Sequence, residues 1–109
     1  MPDDLVARFL PQFLSLARTR VASMIARVAG GNPAEIQKIT RELHTLVGEA
    51  GLLGLGNIVS LVRDCEKKTK ELHVSRTEQN IEALVAALRQ LERVVENGAT
   101  TNSPTAGGT

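Results

Sequence analysis

The sequence predicts an all-α protein folded as an antiparallel four-helix bundle. Three observations predict it. Four stretches repeat apolar residues at intervals of three and four. Short breaks bearing glycine or capping residues separate those stretches. No segment alternates apolar and polar residues as a half-buried strand does. At 109 residues the chain has room for one core and no second domain of similar size.

The first stretch carries Val6, Leu10, Leu14, Ala17, Val21, Met24 and Val28, widened by Phe9, Phe13 and Ile25. Pro11 lies inside it. A proline in a helix interior costs about 3 kcal/mol, so a kink is expected there, or a short helix that restarts at Pro11. Gly30 and Gly31 end the element. Asn32 is a good N-cap for the second helix, and Pro33 suits its first position. Glu35 is expected to reach back in a capping box. The apolar stripe is Ile36, Ile39, Leu43, Leu46, Ala50 and Leu53, and residues 54–57 make a turn.

The third stripe is Ile58, Leu61, Val62, Cys65, Thr69 and Leu72. Residues 75–78, Ser-Arg-Thr-Glu, read as a second capping box. They open the fourth stripe: Ile81, Leu84, Leu88, Leu91 and Val95. The expected domain therefore covers residues 1–97. Residues 98–109 hold no charge and no large apolar side chain, so they read as a disordered tail or a linker.

Composition excludes several functions. Thirteen Lys and Arg against 12 Asp and Glu leave a net charge of +1, and there is no Tyr or Trp. Neither the basic excess nor the stacking platforms of a nucleic-acid binder are present. One cysteine, Cys65, rules out an internal disulfide framework and a multi-cysteine zinc site. His44 and His73 are far apart and no two ligands stand at i, i+4, so no metal site is expected. His73 is expected to complement a helix C-terminus. No apolar run approaches the ~18 residues of a membrane span, and no basic leader opens the chain. Helix charges nearly cancel, so no membrane-active helix is expected, and a cytoplasmic location is.

The second helix breaks local rules. On a wheel of 100° per residue, His44 lies roughly 120° from the core stripe and should be at least partly exposed. Gly48 and Gly51 share its sector, with Arg41 on the N-terminal side. Interior glycines cost about 0.5–1 kcal/mol each relative to Ala. They either leave room beside His44 for a partner, or allow close helix packing or early fraying. The following turn centres near Leu55; His44 lies eleven residues before it and Glu66 eleven after. In an antiparallel hairpin the two stand level. Whether they face each other depends on the handedness of the hairpin. If they do, the carboxylate fixes one imidazole nitrogen and leaves the other as a nucleophile.

These residues resemble a known signature. His44, Leu46, Gly48, Leu53 and Gly54 fit the pattern H-x-[LIM]-K-G-x-x-x-x-[LIVF]-G of histidine-containing phosphotransfer (HPt) domains. Helix number and order agree over about residues 3–97. The sequence is most similar to the N-terminal phosphotransfer domain of CheA-type chemotaxis kinases, in which a helper Glu follows the phosphorylated His by about 22 residues, the place of Glu66. The family's usual Lys three residues after the His is Val47 here.

The resemblance implies a phosphocarrier in two-component signal transduction. His44 would accept a phosphoryl group from a histidine kinase or its catalytic domain, and pass it to an aspartate on a response-regulator receiver domain. Glu66 would orient His44. Arg41, Arg63 or Lys67 would replace the missing lysine's charge, and Val47, Gly48 and Gly51 would meet the phosphoryl group or the partner. The chain would bind no cofactor itself, Mg²⁺ being supplied by the partner. With no glycine-rich nucleotide loop, it would act as an intermediate without kinase activity of its own, either standing alone or as the front piece of a CheA-like kinase. The competing reading is a helical-bundle adaptor, or a degenerate HPt domain that only binds.

Overall fold

The structure is a computed structural model that describes residues 2–30 and 32–97, with side chains from residue 7 onward. Four helices follow in order: α1 (Pro2–Val28), α2 (Pro33–Leu52), α3 (Gly56–Val74) and α4 (Glu78–Glu96). No strand occurs among the described residues. Each helix packs on the next, and α4 returns to α1, closing a four-membered ring. The bundle's interior is apolar, built on Met24, Ile39, Leu43, Leu46, Ile58, Leu84, Leu88 and Leu91, all fully buried. Among the described residues Thr69 is the one buried polar residue, and its hydroxyl donates to the Glu66 carbonyl at 2.6 Å.

The caps explain where the elements stop. The Asn32 side chain accepts from the Ala34 N–H at 2.8 Å, and Pro33 begins α2 as expected. Between α2 and α3 the Gly54 N–H donates to the Gly51 carbonyl at 3.1 Å, and the Leu55 N–H to that of Ala50 at 2.9 Å. This is a Schellman closure. It puts Gly54 at φ 74°, where a side chain is disfavoured, and tucks Leu55 into the core.

Four details differ from the sequence reading. α1 continues through Pro11 and neither ends nor restarts there. Pro11 and its neighbour Gln12 are exposed, and tertiary packing along the rest of α1 outweighs the local cost. The stripe of α1 runs through Phe13, Ala17, Val21, Met24 and Val28, with Leu10 and Leu14 half-buried and Phe9 largely exposed. Glu35 bonds Arg27 and Lys38 rather than capping α2. The N-cap of α4 is Thr77, whose hydroxyl accepts from the Asn80 N–H at 3.1 Å, and Ser75 instead ends α3. The expected tail lies outside the described residues.

Polar clamps join α1 to α2. Arg27 reaches both oxygens of Glu42 at 2.8 and 2.9 Å and Glu35 at 3.2 Å. Hydrogen bonding to Glu42 tightens the Arg27 guanidinium's hold on its proton, and partial burial works against it. Arg20 meets Glu49 at 3.2 Å, about two turns farther along both helices toward the α2–α3 turn.

Candidate functional site

His44 stands on α2 between two core residues, Leu43 and Leu46, which are fully buried. Their anchoring turns the imidazole outward, and its side chain is 84% exposed. On α3 the core residues Val62, Cys65 and Thr69 fix the opposite rod. That rotation brings Glu66, with 18% of its side chain exposed, to the α2 side. The hairpin therefore has the handedness that makes the two flanks meet. His44 Nδ1 and Glu66 Oε2 are 3.2 Å apart.

A carboxylate can only accept, so in this contact Nδ1 carries the proton and donates. Nε2 then keeps its lone pair on an exposed ring. The carboxylate also stands where it can balance positive charge that develops on the imidazole. Backbone support is local: the Thr69 hydroxyl holds the Glu66 carbonyl, so the carboxylate's helix turn is tied to a buried side chain.

A shallow groove opens between the two helices at this point. His44, Val47, Arg63, Glu66, Lys67 and Lys70 line it. Of the expected residues, the structure thus gathers His44, Val47, Arg63, Glu66 and Lys67. Arg41, Gly48 and Gly51 are exposed on α2 but do not line the groove. At Gly48 and Gly51 an added Cβ would meet nothing within 4 Å. Close helix packing is therefore not what these glycines serve, and α2 continues past Gly51 to Leu52.

Lys70 was not among the expected residues. Its signal was its spacing of four from Glu66 and seven from Arg63, which puts it on the same face of α3. The neighbouring Lys68 turns the other way and meets Asp64 at 3.6 Å. His73 is exposed in the last turn of α3. Cys65 is fully buried, and burial, with a smaller contribution from Asp64, pushes its thiol up to about 12. Among the described residues no group of three or more His, Cys, Asp or Glu could hold a metal ion. No helix among them is long and apolar enough to cross a membrane.

Comparison with known families matches residues 8–94 to the Hpt domain. No curated protein and no solved structure matches the chain. Hpt domains are helical bundles that carry phosphoryl groups in two-component phosphorelays, between kinases and receiver domains, and are intermediates rather than kinases. The match spans most of the chain and takes in all of α2 and α3, and on that ground this four-helix protein belongs to the Hpt domain family.

Proposed function

We propose that His44 is the phosphoacceptor of this Hpt domain and that Glu66 positions it. The observation that carries the reading is the 3.2 Å contact from Nδ1 to Glu66 on a ring that is otherwise exposed. The Nε2 lone pair attacks phosphorus in line with the bond to the donor oxygen. That bond breaks, and its electron pair leaves with the donor. The ring, protonated at Nδ1 and phosphorylated at Nε2, is then cationic, and Glu66 balances it. In the second step a receiver aspartate oxygen attacks the same phosphorus, and the electron pair of the P–N bond returns to Nε2.

Phosphoryl transfer asks little covalent chemistry of a carrier beyond alignment and charge neutralisation. The donor is a histidine kinase or its catalytic domain, the acceptor a response-regulator receiver domain that brings its own Mg²⁺. Arg63 and Lys67, on the groove wall, meet the phosphoryl oxygens. Arg41, off the groove, serves the partner's rim. Gly48 and Gly51 leave the partner's backbone room, since space beside them is open. The spacing of 22 residues between His44 and Glu66 supports a CheA-type affinity, with chemotaxis-like signalling in the cytoplasm. The domain itself extends over residues 1–97.

Val47, where the family usually has Lys, favours a second reading, a degenerate domain that binds a partner without accepting phosphate. One experiment separates them. The chain is incubated with phosphoramidate, a small phosphoryl donor, and acid-labile phosphate is mapped by mass spectrometry. Label on His44 that disappears in His44→Gln is the expected result. A chain that stays unlabelled, yet binds a receiver domain, belongs to the second reading.

A further inference from the structure

Arg63, Lys67, Lys70 and Val74 recur on α3 at intervals of four, three and four, and all are exposed. At 100° per residue they fall within about 60° of one another, and at 1.5 Å per residue they span about 16 Å. The stripe starts at the groove beside His44. It continues into a second groove lined by Lys67, Lys70, Glu71, Val74, Ser75 and Asn80, so two lysines belong to both. Val74, at its end, is 88% exposed, an apolar side chain with almost no cover.

Among the described residues the cations along this stripe have no ion-pair partner, while three on the opposite flank do. Arg20, Arg27 and Lys38 are engaged by Glu49, Glu42 and Glu35. The two grooves hold only two carboxylates: Glu66, occupied by His44, and Glu71 at the stripe's edge. The positive charge that lines the groove beside His44 therefore stands on α3, while Arg41 on α2 is exposed outside the groove. The stripe also lacks aromatic side chains, which does not suit single-stranded nucleic acid.

We infer that the α3 stripe ending in Val74 is a docking surface for an acidic protein partner, the receiver domain that exchanges phosphate with His44. This rests on the phosphocarrier reading. The receiver's acidic pocket must approach His44 to take the phosphoryl group, and the stripe steers that approach from the α3–α4 side. Lys70 supplies long-range attraction, and Val74 an apolar seat at the far end of the contact. Charge of this kind acts on association rate more than on chemistry, and fades with salt.

The test uses the full chain labelled with phosphoramidate. Purified receiver domains from the same genome are added with Mg²⁺, and the one that removes the label fastest is kept. Lys70→Glu and Val74→Asp are compared with the parent chain and with Lys70→Arg. Labelling by the small donor should be unchanged in Val74→Asp, because the donor needs no docking surface. Transfer to the receiver at low salt should fall about tenfold in Lys70→Glu and Val74→Asp, within the range of electrostatic steering. Lys70→Arg should restore it, and 0.5 M salt should shrink the gap between parent and Lys70→Glu. Transfer at the parent rate in both altered chains overturns the proposal while leaving His44 as acceptor. Failure of the parent chain to label on His44 overturns the phosphocarrier reading itself. If Lys70→Glu instead loses only co-sedimentation with phosphatidylserine vesicles, the stripe serves a lipid surface and the inference is wrong.

Discussion

One carboxylate holds the exposed His44 ring, through Nδ1. Glu66→Gln keeps the size and a hydrogen-bond acceptor but removes the charge; Glu66→Ala removes both. If Glu66 only aims the ring, Gln retains most of the labelling rate. If it also balances the phosphorylated ring, Gln falls with Ala. The expected order is parent, then Gln, then Ala, with the last slower by about tenfold to a hundredfold, the usual cost of lost alignment. Single-turnover labelling by phosphoramidate measures it, and an unchanged rate in Ala removes Glu66 from the reaction. The level placement of the two residues was legible in the sequence, from equal spacing about Leu55. Their meeting was not, because hairpin handedness comes from how α2 and α3 share the core with α1 and α4. Lys70 was missed for a related reason: a lysine on a helix face gains meaning only when another helix supplies the opposite wall.

At the scale of the helices, one glycine sets the register on which the site depends. Gly54 holds φ 74° in the closure between α2 and α3. Gly54→Ala should cost about 1–2 kcal/mol, the penalty for a side chain in the left-handed region, and urea melts measure it. Because the same closure aligns His44 with Glu66, the substitution should slow labelling as well. Gly48 behaves oppositely. It sits inside α2 with open space at its Cβ position. Gly48→Ala should stabilise the fold by about 0.5–1 kcal/mol. Gly48→Phe should leave the fold and small-donor labelling intact and slow transfer to a receiver; undiminished transfer would mean the open space serves no partner. The stripes of α2, α3 and α4 were readable because each has 3.6-residue periodicity and a cap signal. The start of α4 was misread because Ser75 and Thr77 are both good caps two residues apart, and the choice depends on where α3 ends. Of the two outcomes expected at Pro11, the restart does not occur, because local cost alone does not count the packing of Phe13 to Val28 that carries the helix through it.

For the bundle as a whole, Cys65 reports on integrity. Its thiol is fully buried between α3 and the core, and burial pushes it up to about 12. A free cysteine titrates near ~8.5, so between that value and about 12 the unfolded chain releases a proton that the folded chain keeps. Folding stability contributed by this group is complete below the lower value. It declines as pH rises through the window, since the native state there binds more protons than the unfolded one. At pH 8 the native thiol is neutral and out of reach, and only the thiolate attacks an alkylating reagent. Iodoacetamide should therefore modify Cys65 only through opened molecules, at a rate set by the opening equilibrium. Leu88→Ala, at a fully buried position on α4, should cost about 2–5 kcal/mol and speed modification by more than tenfold. Substitution of exposed Arg89, its neighbour, should leave the rate within twofold. Mass spectrometry of the time course follows both. Rapid modification of the parent chain, at the rate of a free thiol, would mean that the bundle does not keep Cys65 closed off. Glu66, next to Cys65 on α3, would then not be held steadily enough to keep its carboxylate on His44.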